Sequence, residues 1–125
     1  MIKQAIIPLA GLGTRLLPLT SVFAKELLPI NGKPGLEYII DECIEAGIKE
    51  IIFIISNKKI MIKNYFNNDA FFKKIIKKKK DKRISNEYKK ILKYKKMIKF
   101  VYQNNPRGTG DAVLKTKKFI KDSYF

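Results

Sequence analysis

Two short apolar runs, over residues 3–9 and 50–55, with a helical pattern between them constrain this chain most. The first run is apolar on both faces, broken only by Pro8, and reads as a strand central to a sheet covered on both sides. Pro34 suits the first turn of a helix, and Leu36, Ile39, Ile40, Cys43 and Ile44 follow at helical spacing, with Glu37, Asp41, Glu42 and Glu45 elsewhere. Gly47 is a natural stop, which predicts a helix over 34–46. The second run is rich in β-branched residues and reads as a buried strand. Strand, loop, helix, strand is a right-handed βαβ unit with a parallel sheet.

The loop after the first run is Leu9-Ala10-Gly11-Leu12-Gly13-Thr14-Arg15, and Ala24-Lys25-Glu26-Leu27-Leu28-Pro29 follows it. Glycines let backbone N–H groups approach phosphates closely, and cations beside them neutralise charge. Leu16 stands where a dinucleotide fingerprint needs its third glycine, and no Gly-Lys-Ser/Thr makes a P-loop. The stronger signal is convergence. Arg15 and Lys25 flank the loop, while Gln103 and Gly108-Thr109-Gly110 follow a later strand. In a doubly wound sheet all of these project from the carboxyl ends of strands, where such folds bind ligands. Simpler readings exist for each: a surface salt bridge for Arg15, one more surface lysine for Lys25, a strand end for Gln103, plain turn glycines for Gly108 and Gly110.

Residues 10–33 read as a long loop with a short extended piece near 27–30 and a turn at Asn31-Gly32. Asn57 can cap a helix over 58–66. Residues 70–97 form a lysine-rich helical insert, two helices broken near Lys80-Asp81. Residues 98–103 read as a third strand, 104–108 as a loop and 110–118 as a further helix, with no strand after it.

The 125 residues make one domain at most, and a hydrophobic fraction of 46% is enough for one core. The 27 Lys+Arg outnumber 11 Asp+Glu, for a net charge of +16. A polyanion or RNA partner is the obvious reading. Against it, the excess is nearly all lysine, with Arg15, Arg83 and Arg107 the arginines, which reads as compositional drift under AT-rich codons. Specific nucleic-acid readers lean on arginine, so none is expected as a partner. The absence of His excludes Ser-His, Cys-His and His-based metal chemistry, and the single Cys43 reads as a buried structural thiol. No run approaches a membrane span and no signal peptide is evident, so the expected compartment is the cytoplasm.

Ala10-Gly11-Leu12-Gly13-Thr14-Arg15-Leu16-Leu17-Pro18, Lys25-Glu26-Leu27-Leu28-Pro29 and Lys33-Pro34 resemble the opening signature of the bacterial UTP–glucose-1-phosphate uridylyltransferases. The segment Asp41-Glu42-Cys43-Ile44, then Ala46-Gly47-Ile48, points to the same branch of the sugar nucleotidyltransferases, and the match resumes at Gln103 and at Gly108-Thr109-Gly110-Asp111-Ala112-Val113. The resemblance is close over 3–55, moderate over 98–118 and slight over 70–97. It implies a Rossmann-like, doubly wound α/β fold, here with about three parallel strands in the order 3-2-1 and helices on both faces. It implies UTP and glucose 1-phosphate as substrates and Mg²⁺ as cofactor. The backbone at Ala10 and Gly11 would face the uracil, Gln103 and Gly108 would read the base, and Glu26 is a weaker candidate beside them. Gly13 and Thr14 would hold the triphosphate with Arg15 and Lys25, the two cations placed in the catalytic role.

Three departures stand out. Ala24 replaces a usual Pro, which would soften the loop that aims Lys25. Asp111 replaces a usual His and brings a carboxylate toward the phosphates. Family members are also considerably longer, and the expected Asp ligand for Mg²⁺ lies beyond Phe125, so none is assigned here. The expectation is a fragment or degenerate product with a weak UTP site and little catalysis. The alternatives are a basic polyanion-binding module reusing the scaffold, and a non-catalytic subunit completed by another chain. The strand at 3–9 would then be an open apolar edge, available for pairing with a second copy.

Overall fold

A computed structural model describes residues 1–105 and 107–125; Pro106, in the loop expected at 104–108, lies outside the described residues. The chain runs β1 (Gln4–Pro8), β2 (Pro29–Ile30), β3 (Lys33–Pro34), α1 (Gly35–Glu45), β4 (Glu50–Ile55), α2 (Ile60–Asn67), α3 (Asp69–Lys79), α4 (Lys82–Met97), β5 (Ile98–Tyr102) and α5 (Thr109–Leu114). The main sheet has the order β1-β4-β5, parallel throughout, as the sequence predicts. Gln4 pairs with Glu50 and Ile51 with Ile98, so the three carboxyl ends finish side by side.

Alternation along β4 builds two layers. Ile51, Phe53 and Ile55 join Leu36 and Ile40 of α1, Ile62 and Phe66 of α2, and Ile91 and Tyr94 of α4 in one core. Phe53, Phe66 and Phe100 form a cluster with ring centroids 5.9–6.4 Å apart. Ile52 and Ile54 face the other way and are equally sealed. That second face carries Ala112 of α5 and Thr116, both buried, so helices lie on both sides of the sheet.

β1 is an edge strand, as the order 3-2-1 requires, although its composition alone reads as central. Its Ala5, Ile6 and Ile7 are only half-buried, because β4 covers one side of the strand alone. Leu9 donates its N–H to Ile54, so by the two-residue repeat Gln4, Ile6 and Pro8 turn their main chain to the open side. Pro8, which has no N–H, thus sits where no ladder bond is lost.

α1 begins at Gly35, one residue beyond the expected Pro34, which pairs with Pro29 in a small hairpin. The hairpin turn is Asn31-Gly32, both at positive φ, as a tight primed turn requires. α1 ends in a Schellman motif: Ile48 N–H donates to the Cys43 carbonyl and Gly47 N–H to that of Ile44, with Gly47 at φ 83. Its acidic residues are not all on a solvated face. Glu37 is 1% exposed; Tyr65 of α2 donates to its Oε1, and Lys90 Nζ of α4 stands 3.1 Å from its Oε2. One turn on, Asp41 accepts from Tyr94 of α4 at 2.6 Å and from Lys33 of β3. The spacing of four puts both carboxylates on the face toward α4, where partners exist. Cys43 is half-buried against the core, and burial followed by the Glu42 charge pushes its thiol up, which suits a structural role.

Asn57 does not cap a helix with its side chain. A 3₁₀ turn over Asn57–Lys59 precedes α2, and the Asn57 N–H is taken by Asn104 Oδ1 at 2.9 Å. The lysine-rich stretch forms two helices as expected, with Asp81 capping α4 through the Arg83 N–H. α3 buries no residue and rests on α4 through a Phe72–Tyr88 stack and the Asp69–Lys95 ion pair. α5 is shorter than expected, since Thr116 Oγ1 bonds back to the Val113 carbonyl at 2.6 Å and a 3₁₀ turn follows over Lys117–Phe119. No helix among the described residues is long and apolar enough to cross a membrane.

Phe53→Ala should lower unfolding free energy in urea by about 3–5 kcal/mol, whereas exposed Leu114→Ser should change it by less than about 0.5 kcal/mol. Glu50 supplies a pH test. Burial pushes its carboxyl up, but bonds from Lys99, Gln4 and Lys121 outweigh that and hold it at about 2, below an ordinary 4.5. A depressed carboxyl stabilises above its unfolded value, and the gain is lost as pH falls toward its folded value. The stability advantage of the wild type over Glu50→Gln should therefore shrink from about pH 4.5 to about pH 2 in acid titrations of urea unfolding.

Candidate functional site

The cleft lies over the carboxyl ends of the three main strands. Leu9 N–H donates to the Ile54 carbonyl at 2.7 Å and Gln103 N–H to that of Ile55 at 2.8 Å. These bonds carry the ladder one residue past β1 and β5. They root Ala10 and Gln103 on either side of β4.

A cavity of about 270 Å³ is lined by Pro8, Ala10, Gly11, Gln103, Gly108, Thr109 and Ala112. The four residues expected around a base therefore share one space. A Cβ at Gly11 would meet nothing within 4 Å, so bare backbone faces open space. Gly108 sits at φ 94, ψ 174, a conformation open essentially to glycine alone. A second cavity, about 440 Å³, is lined by Leu16 and by Gly13, Thr14, Arg15 and Lys25, the four residues expected around a triphosphate.

The loop between them is held firmly. Gly13 has φ 66, and a Cβ there would stand 3.0 Å from Thr20 Cγ2. Thr20 Oγ1 donates to the Gly13 carbonyl at 2.6 Å, and the Lys25 stem packs alongside. Arg15 is exposed on a 3₁₀ turn, and neither it nor Lys25 joins an ion pair among the described residues. Two adjacent, uncompensated cations beside an open backbone favour an anion. Ala24 is buried at φ −70, within the range of proline, and its N–H points at Met61 Sδ 3.1 Å away.

Glu26 lies differently from the others. Both its carboxylate oxygens accept from Lys59 Nζ, at 2.8 and 2.9 Å, and both side chains are about nine-tenths buried. It lines neither of the two cavities above. Asp111 accepts from Gln103 Nε2 at 2.9 Å.

Ser56 is a further candidate that sequence reasoning missed. It is 8% exposed, and its hydroxyl has no hydrogen-bond partner among the described residues. It lines both a cavity of about 500 Å³ shared with Leu12, Thr14 and Lys58 and one of about 330 Å³ shared with Ala10 and Asn104. Its position directly after β4 was the available signal.

No group of three or more His, Cys, Asp or Glu able to hold a metal occurs among the described residues. Glu26 and Asp111, the carboxylates nearest the cleft by sequence, are committed to Lys59 and Gln103. The residues present thus do not fit a magnesium site.

Comparison with known proteins matches residues 4–125 to the Nucleotidyl transferase family. A UTP–glucose-1-phosphate uridylyltransferase of Mycoplasma pneumoniae is 41% identical over 124 residues, 99% of this chain and 42% of that protein. One of Streptococcus pyogenes is 38% identical over 126 residues, 99% of this chain and 40% of its own length. The structure of a UDP-glucose pyrophosphorylase from Acinetobacter baumannii superposes with a TM-score of 0.85 at 37% identity, covering 97% of this chain and 42% of that one. A UTP-bound enzyme from the same organism gives 0.84 at 38% identity, covering 95% and 42%. The chain spans about two fifths of the length of these relatives.

Lys59→Met should cost about 3–5 kcal/mol in urea unfolding, because it leaves the Glu26 carboxylate buried and alone. The double variant Glu26→Leu/Lys59→Met should recover most of that loss; a double variant no better than Lys59→Met would show that the pair acts through something other than charge.

Proposed function

The chain belongs to the nucleotidyl transferase family, and we propose that it is the nucleotide-binding part of a cytoplasmic uridylyltransferase that joins UTP and glucose 1-phosphate into UDP-glucose and pyrophosphate. The observation that carries this reading is the pairing of two cavities at the strand ends. One is lined by Ala10, Gly11, Gln103 and Gly108, the other by Gly13, Thr14, Arg15 and Lys25. The first takes the uracil, against backbone on one side and the Gln103 amide on the other. The second takes the triphosphate. The Arg15 guanidinium forks two phosphate oxygens, and Lys25 supplies a mobile point charge.

In the reaction a phosphate oxygen of the sugar 1-phosphate attacks the α-phosphorus of UTP, and pyrophosphate leaves. No covalent enzyme intermediate is needed. The chain's share is alignment and neutralisation of charge, which is how phosphoryl-type transfers are catalysed. The names of the relatives, and the UTP-bound state of one of them, support the choice of UTP.

Titration calorimetry tests the reading. UTP should bind saturably and more tightly than inorganic tripolyphosphate. Arg15→Ala and Lys25→Ala should each weaken UTP binding about tenfold, as loss of a charge-assisted bond does. Equal affinity for tripolyphosphate and UTP, with steep loss on adding salt, would instead support a general polyanion binder.

A further inference from the structure

Gln103 and Asp111 make a contact that the reading above does not use. Gln103 is 5% exposed and lines the cavity with Ala10, Gly11 and Gly108. Its Nε2 donates to Asp111 Oδ2 at 2.9 Å and points at the Gly108 carbonyl 3.4 Å away. A primary amide nitrogen carries two N–H donors, so both are directed at acceptors of this chain. The opposite amide orientation would set Oε1 against a carboxylate oxygen and a carbonyl oxygen. That loses a charge-assisted bond and brings acceptors face to face. The short bond to Asp111 decides the matter, since the contact to Gly108 is long. Gln103 Oε1 takes no hydrogen bond among the described residues, and it is not one of the oxygens sealed from solvent.

We infer that Asp111 is a positioning residue that locks the Gln103 amide, so that the cleft presents a carbonyl oxygen with no free donor beside it. For its functional consequence the inference rests on the nucleotide-binding reading. A lone acceptor selects a ring N–H, such as the imide N3–H of uracil between its two carbonyls. Cytosine offers a bare ring nitrogen at that place, and lone pair would meet lone pair. The Asp111 carboxylate thereby acts on the base end of the cleft, through Gln103, rather than on the phosphates.

Two measurements on the ¹⁵N-labelled chain test this. In the wild type the Gln103 side-chain NH₂ protons should exchange with solvent at least about tenfold more slowly than exposed side-chain amides, and Asp111→Ala should abolish that protection while the rest of the spectrum stays folded. The wild type should prefer UTP to CTP by about tenfold, and Asp111→Asn, which lets the amide turn, should reduce that preference to within about twofold. Binding of inorganic tripolyphosphate should not change, which separates positioning from a general structural effect. A Gln103 amide that exchanges freely in the wild type overturns the lock. An unchanged UTP preference in Asp111→Asn overturns its part in base selection. A protected amide in a chain that binds neither nucleotide supports the lock and counts against the nucleotide reading instead.

Discussion

β4 is the strand on which the rest of the structure depends. The five residues that follow Glu50 are all apolar and all sealed from solvent. Two layers of side chains and both neighbouring strands take their position from it. The two main-chain bonds that reach past its neighbours, Leu9 to Ile54 and Gln103 to Ile55, also fix the roots of the cleft walls. The walls of the cleft are therefore rooted in the sheet beneath them. A catalytic or binding loop hung from strand ends inherits its precision from the ladder below.

The helices on the core face are held by polar contacts as well as by burial. α1 carries Glu37 and Asp41 into the contact with α2 and α4, where Tyr65, Lys90 and Tyr94 meet them, and Lys33 ties the small hairpin to the same face. Such a network is favourable only when its members are paired, so it fixes how these elements meet. The hairpin in turn stands next to the segment that carries Lys25. Order in the core is passed in this way to a loop that has little core of its own.

Much of the fold was legible in the sequence because its signals were local. The β-branched run at 50–55 matches β4, Gly47 ends α1 with its expected conformation, and Lys80-Asp81 breaks the lysine-rich helices. Of the site, Gly11, Gln103 and Gly108 line one cavity, and Gly13, Arg15 and Lys25 line another. What escaped was set by partners distant in sequence. Periodicity placed Glu37 off the apolar stripe but could not foresee Tyr65 and Lys90. Asn57 was read as a cap, yet Asn104 uses its N–H. β1 reads as central by composition, and it was the expected strand order 3-2-1 that placed it at the edge, where it lies. Glu26 sits in the same motif as Lys25 but turns inward to Lys59.

The loosely attached α3 explains why the chain's charge says little about its cleft. No α3 residue is fully buried; Phe72, Ile75 and Ile76 are half-buried, and the rest of the helix surface is mostly solvated, where charge is readily accommodated. Lys77, Lys78, Lys79 and Lys80 stand at the end of that helix, remote in sequence from the glycine loop and from Gln103. Part of the basicity thus lies on an exposed helix end, apart from the Arg15 and Lys25 that line a cavity beside the glycine loop.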